Sequence, residues 1–461
     1  MSGVCRPSHD GTFGNGAHLD KLVRRFGKDR IWNMPISEGS FTGSAGSFTG
    51  LAIGTAIKGS GPIVDLKWKP VMSSSNAKTP VFSLNEFRRR RDAIQAEMAS
   101  RGAQLLILDQ PEMIFHFAGY AMSEGFRQFC LIPQEGDPLM ILRTVDEGSC
   151  REFAYIDDNN IIGFRDWDDP IAVLTQVLSS RGIQTARVGI DRNSYSLTLQ
   201  RFDSLQAALP HASFVDFSDF VINLRACKSP EEIEKLRRSS RIADDAIEAL
   251  LQEINPTHSA RACMALASKH VIRLGGDLGV IGVVTRAIDE TKMHAIVDDV
   301  PLGDSALLHL ELIPQYDGYS SRIMRPIHFG VAPREIKEVA EAIVAIQDQQ
   351  FQAMKPGAKA CDVDAILRDG LLRVGLKTEY RNISGYSLGY YQPFTSRSSD
   401  FSYTFRPNDS WTLMENMVFH MYTVAKGMAF SETVVVTPDG GVRLTQTPRR
   451  VLEVPATFQT A

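Results

Sequence analysis

Residues 311–325 read ELIPQYDGYSSRIMR, and this stretch restricts the fold strongly because it specifies a β-hairpin. Pairs such as Asp317-Gly318 favour the two-residue turns that join antiparallel strands. With that turn, Arg322 pairs opposite Ile313, and Glu311 points the same way as Ile313 because side chains alternate along a strand. The hairpin therefore predicts that Glu311 and Arg322 share one face of a sheet, either as a structural salt bridge or as part of a pocket.

The chain is long enough for two or three domains, each with its own core. It has 461 residues, of which 43% are hydrophobic and 23% charged, and its formal net charge is -4. The basic run Arg88–Arg91 is flanked by Glu86, Asp92 and Glu97, so we interpret it as a solvated or salt-bridged helix face. The composition thus predicts a soluble protein without a nucleic-acid partner.

Neither a membrane segment nor a disulfide framework is indicated. No apolar run approaches the roughly 18–20 residues that span a bilayer, and the first residues lack the apolar region of a secretory signal. The six cysteines are scattered singly, without a CxxC pair. We therefore expect a cytoplasmic protein that does not bind membranes.

The sequence divides into three regions, and the composition of the first does not favour a hydrophobic core. Residues 1–82 are rich in Gly and Ser, repeat SFTG at 40–43 and 47–50, and predict an extended or partly disordered N-terminal arm. Residues 83–225 begin with Ser83 and Glu86 at the spacing of a helix-capping box. Strand patterns such as QLLIL and RVGID then alternate with helical ones, which predicts an α/β domain.

The third region, residues 226–461, mixes helices with antiparallel strands. Ser229 and Pro230 are typical of a helix start. Further helices are predicted at 334–354 and 361–374, and strands at 305–313, 319–327, 417–424 and 431–437. This pattern predicts an α+β domain.

Several segments resemble those of a known protein family, both in their amino-acid sequences and in their order along the chain. They read LRACKSPEEIEKLRRSSRIAD, YDGYSSRIMRPIHFG, MKPGAKACDVDA, GYSLGY, NMVFHMYTV and FSETVVVTPDGG. In this order the chain resembles the creatinase, prolidase and methionine aminopeptidase superfamily from residue 84 to about 455. The resemblance implies an α+β "pita-bread" catalytic domain preceded by a creatinase-type α/β N-terminal domain.

The metal-binding positions of that superfamily are altered in this chain. Metal-dependent members hold two divalent ions with two Asp, one His and two Glu, and the corresponding residues here are Glu311, Arg322, Tyr386, Tyr422 and Glu432. Divalent ions require several anionic oxygen ligands, and a permanently charged guanidinium repels them. We therefore expect neither a metal nor another cofactor.

His294 adds a histidine to this set. It matches the position of the histidine that metal-free creatinase uses on its substrate. Glu311, VFHMYTV, FSET and QTPRRVLEV are similar to the ectoine-hydrolase branch. The resemblance implies a metal-independent hydrolase that cleaves an amidine, guanidine or amide C–N bond in a small zwitterionic substrate derived from an amino acid.

The expected catalytic residues are His294, Glu311 and Glu432. Glu311 acts either as nucleophile or as general base, and His294 protonates the leaving nitrogen. Glu432 is expected to hold a cationic nitrogen of the substrate, and Arg322 its carboxylate. Tyr386 and Tyr422 are expected to donate hydrogen bonds to the substrate.

Four further residues are candidates for substrate binding. Tyr390 and His420 lie in the matched loop and strand, and Phe126 and Arg127 are placed to reach the pocket of a neighbour, because the resemblance implies a homodimer. Two alternatives stay open. One is an Xaa-Pro-type peptidase or a lyase on the same scaffold, and the other is a non-catalytic binding protein.

Overall fold

The computed structural model describes residues 78, 80–121, 128–287, 293–294, 296–393 and 402–455. The predicted arm therefore lies almost entirely outside the described residues. Its last residue, Phe82, is buried and contacts Phe87, Phe115 and Tyr319 edge-on. The end of that region thus belongs to the folded core.

The first domain is built around a six-stranded mixed sheet, as the alternating pattern predicts. Its strands lie in the order β4-β3-β2-β1-β5-β6, with β1 parallel to β5 and antiparallel to β2. The strands are β1 (Leu105–Leu108), β2 (Phe129–Pro133), β3 (Leu139–Arg143), β4 (Ile161–Phe164), β5 (Arg187–Ile190) and β6 (Ser213–Asp216). The helices are α1 (Leu84–Arg101), α2 (Pro111–Ala118), α3 (Glu147–Phe153), α4 (Pro170–Ser180), α5 (Leu199–Ala208) and α6 (Ser218–Ala226).

The predicted start of α1 is confirmed, but its capping box is only half formed. The Ser83 hydroxyl accepts a hydrogen bond from the Glu86 backbone N–H at 3.3 Å. The Glu86 carboxylate binds Arg89 and Arg90 instead of returning to the helix start. Arg90 is fully buried, so the basic run is not a solvated face throughout.

The second domain contains an eight-stranded sheet covered by helices. It starts with α7 (Pro230–Glu253), where Ser229 and Glu232 form a complete capping box. The remaining helices are α8 (Ala260–Arg273), α9 (Arg334–Ala353) and α10 (Ala360–Arg373). None of the helices in the described ranges is long and apolar enough to cross a membrane.

The main path of this sheet runs β12-β13-β14-β11-β8-β7, with β15 paired to β14 and β16 to β11. Its strands are β7 (Val284–Arg286), β8 (Leu307–Leu312), β11 (Ile323–Phe329), β12 (Gly385–Ser387), β13 (Val418–Ala425), β14 (Met428–Thr437), β15 (Gly440–Arg443) and β16 (Leu452–Val454). Two short strands, β9 (Gln315–Tyr316) and β10 (Tyr319–Ser320), extend the central hairpin.

The two faces of this sheet have different roles. On one face, Leu308 and Leu310 pack in the same cluster as Ile247 of α7, and Phe430 packs with Ile343 of α9. Glu311 alternates with these leucines and points to the opposite face. We call that opposite side the pocket face.

The register of the central hairpin is as predicted. Leu312 pairs with Ile323, and Tyr316 pairs with Tyr319 across the turn. Asp317 and Gly318 both have positive φ, 49° and 74°, which the favoured two-residue hairpin turn requires.

Candidate active site

Two rows of side chains cross the pocket face. In the first row, residues lie opposite one another on β8, β11, β14 and β13; they are Glu311, Met324, Ser431 and Tyr422. The second row lies one strand period away and consists of Arg322, Thr433, His420 and Tyr386. Side chains directly opposite on antiparallel strands are close enough to interact. The rows therefore form one polar surface.

Glu311 is held at the start of the first row by the chain that leads into β7. Its carboxylate accepts a hydrogen bond from the Val283 backbone N–H at 3.3 Å. A Cβ atom at Gly282 would lie 2.4 Å from the Glu311 Cγ. A residue with a side chain at position 282 would therefore displace the carboxylate.

Arg322 joins the two rows. Its backbone is clamped by the Thr433 hydroxyl, which accepts from the Arg322 N–H at 2.8 Å and donates to its carbonyl at 3.0 Å. The guanidinium Nη1 lies 3.5 Å from the Glu311 Oε1 and donates to the Tyr386 hydroxyl at 2.6 Å. The predicted common face of Glu311 and Arg322 is confirmed.

Two tyrosines supply uncharged hydroxyl groups. Burial raises the pKa of Tyr386 to about 12, despite the opposing effect of Arg322. Burial also raises the pKa of Tyr422 above its usual range. The two ring centroids are 5.9 Å apart. Both phenols therefore stay protonated at neutral pH and can act as hydrogen-bond donors.

His420 lies between these tyrosines. Its ring stacks on Tyr422 with centroids 5.2 Å apart and meets the Tyr386 ring edge-on at 5.0 Å. Complete burial holds the pKa of His420 well below its usual range, and the positive charge of Arg322 acts in the same direction. The imidazole is therefore neutral at physiological pH.

His294 lies exposed at the margin of the pocket face. The preceding residue, Met293, packs against Met324 of the first row. Burial lowers the pKa of His309 to about 4, and the charge of His294 contributes. Since His309 is two residues from Glu311 on the same face, this interaction places His294 near the Glu311 end of the rows.

Glu432 does not lie in the pocket, which corrects the sequence expectation. Its carboxylate is fully buried on the opposite face, 2.7 Å from Arg325 and 3.5 Å from Arg449. Because side chains alternate, the neighbour Ser431 occupies the pocket position. The turn between β13 and β14 at Lys426-Gly427, where φ is 50° and 73°, fixes the register that sets Tyr422 opposite Ser431. This turn is the sequence feature from which the position of Ser431 could have been predicted.

Tyr390 belongs to the domain interface. Its ring stacks on Phe115 of α2, with centroids 3.7 Å apart and planes 6° apart. Its hydroxyl donates to the Gln392 side chain at 3.0 Å. These contacts replace the substrate-binding role predicted for Tyr390. Phe126 and Arg127 lie outside the described residues, so their role stays a prediction.

Two family models match the chain in succession. The creatinase/prolidase N-terminal domain matches residues 90–227, and metallopeptidase family M24 matches residues 234–445. The chain belongs to the M24 creatinase/prolidase family. The predicted fold class, a creatinase-type α/β domain followed by a pita-bread domain, is thereby confirmed. Membership of this family also identifies the protein as a hydrolase.

Characterised members of the M24 family at similar distance act on different substrates. The ectoine hydrolase of Halomonas elongata is 24% identical over 80% of this chain and 98% of its own length. The Xaa-Pro dipeptidase of Lactobacillus helveticus is 23% identical over 79% of this chain and 98% of its own length. The crystal structure of an X-Pro aminopeptidase from Thermotoga maritima has a TM-score of 0.68 at 18% identity, covering 79% and 99% of the two chains.

The residues of the pocket face do not fit the dinuclear metal centre of the metal-dependent M24 members. The available groups are one carboxylate, the imidazoles of His309 and His420, two phenols, the hydroxyls of Ser431 and Thr433, and the guanidinium of Arg322. Within the described ranges, no group of three or more His, Cys, Asp or Glu is arranged to hold a metal ion. Hard divalent ions are held by several anionic oxygens, and a fixed cation opposes them.

Proposed function

We propose that the protein is a metal-independent hydrolase that cleaves a C–N bond in a small zwitterionic substrate derived from an amino acid. The observation that carries the proposal is the position of Arg322, 3.5 Å from Glu311 and 2.6 Å from the Tyr386 hydroxyl. The cation occupies the centre of the site, so charge stabilisation comes from side chains.

Glu311 is suited to activate water. As general base it takes a proton from a water molecule, whose oxygen forms a bond to the amide or amidine carbon. Negative charge develops at the substrate as this bond forms, and the phenol of Tyr386 donates a hydrogen bond to it. The C–N bond then breaks, and His294 gives a proton to the leaving nitrogen.

Arg322 and Glu311 together suit a substrate with one charge of each sign. A guanidinium binds a carboxylate through two parallel hydrogen bonds. The Glu311 carboxylate complements a cationic nitrogen near the reacting carbon. Ectoine hydrolase acts on a compound of this kind, as its name states, and that relative supports the substrate class.

The experiment is a hydrolysis screen of the purified full-length protein with and without a chelator. The substrates are ectoine, creatine and a set of Xaa-Pro dipeptides. We expect turnover of a non-peptide C–N substrate that is insensitive to chelation. Turnover of Xaa-Pro dipeptides alone, with stoichiometric metal and loss of activity on chelation, contradicts the proposal and supports the peptidase alternative that the dipeptidase relatives favour.

Glu311→Gln tests the central residue. Loss of the base lowers kcat by a factor of about 10²–10⁴ while the fold persists. The matched control is Glu415→Gln, because Glu415 is an exposed glutamate away from the rows. Near-normal kcat for Glu311→Gln contradicts the role of Glu311.

A single turnover in H₂¹⁸O separates the two forms of Glu311 chemistry. With Glu311 as general base, ¹⁸O enters the product directly and the protein stays unlabelled. With Glu311 as nucleophile, its own oxygen passes to the product and ¹⁸O enters the Glu311 side chain. Mass spectrometry of the peptide that contains Glu311 distinguishes them.

A further inference from the structure

Several buried polar atoms of the pocket face have no hydrogen-bond partner within the described ranges, including Nδ1 of His309 near Glu311. Two of the side chains that carry such atoms, His420 and Ser431, are diagonal neighbours. Among the residues that the structure describes, both ring nitrogens of His420 and the hydroxyl oxygen of Ser431 are in this state. Both side chains are fully buried. Buried polar groups in folded proteins are nearly always paired, so an unpaired group on the pocket face is a candidate for pairing with a bound substrate.

His420 and Ser431 lie next to each other on the pocket face, and both are adjacent to Tyr422. Ser431 lies directly opposite Tyr422, and His420 lies two residues before Tyr422 on the same strand and face. Diagonal neighbours of this kind are roughly 7–8 Å apart, a span that a small planar group can bridge. A hydroxyl and a neutral imidazole can each donate or accept a hydrogen bond.

The charges around this region restrict what binds there. Within the described ranges, the two rows carry one carboxylate, Glu311, and one guanidinium, Arg322. The other nearby carboxylate, Glu432, lies on the opposite face and is neutralised by Arg325 and Arg449. The part of the substrate that reaches His420 and Ser431 therefore meets uncharged partners.

We propose that His420 and Ser431 form an uncharged hydrogen-bonding subsite that receives an amide-type group of the substrate, an N–H donor beside a C=O acceptor. Arg322 holds the carboxylate of the same molecule. The inference rests on the proposed function for its choice of substrate class. It narrows that class to carboxylates whose reacting bond lies in an amide or a cyclic analogue of one.

The test is a binding measurement with two ligands that differ only in this group. Pyroglutamate carries a carboxylate and a ring amide, and cyclopentanecarboxylate has the same ring size and carboxylate without the amide. Isothermal titration of the full-length wild type is expected to give a Kd for pyroglutamate at least 10-fold lower. In Ser431→Ala and His420→Phe the two Kd values are expected to agree within 2-fold, with the Kd for cyclopentanecarboxylate unchanged.

Thr423→Val is the matched control. Thr423 is also a fully buried residue of β13 whose hydroxyl has no hydrogen-bond partner among the described residues, but it points to the opposite face. Its removal is expected to preserve the wild-type ratio. If His420→Phe does not fold, Ser431→Ala decides the outcome, since it deletes only an unpaired hydroxyl.

Three outcomes overturn the inference: no pyroglutamate binding by the wild type, equal affinities for the two ligands, or a ratio that persists in Ser431→Ala. The measurement does not depend on turnover. If the ratio collapses in the variants but no C–N bond is cleaved in the hydrolysis screen, the subsite stands and the proposed function fails.

Discussion

Arg322 and Arg325 are three residues apart in one hairpin, and their side chains lie on opposite faces of the sheet. Arg322 donates to the Tyr386 hydroxyl at 2.6 Å on the pocket face. Arg325 is fully buried on the other face, where it binds Glu432 at 2.7 Å and the carbonyls of Ser431 and Thr447. One arginine belongs to the pocket face, and the other lies in a buried ion-pair cluster of the core.

Lysine substitutions are expected to separate these two roles. Arg322→Lys loses the paired donors that bind a carboxylate, so KM should rise about 10-fold or more with little change in Tm. Arg325→Lys should lower Tm and leave KM unchanged, because the Arg325 side chain lies on the face of the sheet opposite the pocket. Steady-state kinetics and thermal unfolding of both variants check this. An unchanged KM for Arg322→Lys contradicts the carboxylate-binding role.

Glu432→Gln is expected to destabilise the protein without impairing catalysis. The carboxylate neutralises Arg325 and Arg449 at a fully buried site. Removing one partner of a buried ion pair costs about 3–5 kcal/mol. Urea unfolding measures the loss, and kcat is measured well below the melting temperature. The control is Glu453→Gln, since Glu453 forms a solvent-exposed pair with Lys337 whose removal costs about 1 kcal/mol or less.

Gly282→Ala should lower kcat while the fold persists. The added methyl group would lie 2.4 Å from the Glu311 Cγ, so the Glu311 side chain is expected to shift. A displacement of about 1 Å at a reacting group costs on the order of 10²-fold in rate. Gly148→Ala is a useful control for kinetics, because no atom lies within 4 Å of its added Cβ and its φ is not positive. Normal kcat in Gly282→Ala would mean that Glu311 is not held by this contact.

The buried phenol of Tyr386 is expected to make stability depend on alkaline pH. Its pKa in the folded state is about 12, against about 10 in the unfolded chain. The folded state therefore retains a proton that the unfolded state releases, and the free energy of unfolding decreases as pH rises from about 10 to 12. The contribution is on the order of 2–3 kcal/mol.

Comparison with Tyr386→Phe isolates this contribution, because the other tyrosines are common to both proteins. Urea unfolding is measured at several pH values from 8 to 12. The difference in the free energy of unfolding between wild type and variant should be constant below pH 10 and change above it. A pH-independent difference would contradict the raised pKa.

Local sequence patterns predicted the hairpin and much of the secondary structure. Asp317-Gly318 specifies a turn with two positive φ angles, and this turn fixes the register that places Glu311 and Arg322 on one face. Ser229, Pro230 and Glu232 likewise specify the start of α7 through contacts within one helical turn. Such features depend on neighbouring residues, so they can be inferred from the chain alone.

The composition of the pocket depended on contacts between distant segments. A one-residue difference in register decides whether Ser431 or Glu432 faces Tyr422, and family resemblance placed Glu432 there. Tyr390 looked like a pocket residue from its loop, but stacking on Phe115 draws it into the interface between the domains.

By itself, the sequence determined the fold family, the central hairpin and the presence of Glu311 and Arg322 on one face. Only the tertiary structure decided that Ser431, and not Glu432, lies on the pocket face and that Glu432 is paired in the core. The physical reason is that side chains alternate across a strand, so pairing with other strands selects the face. The partner that fixes Glu432 is Arg325, 107 residues away in the chain.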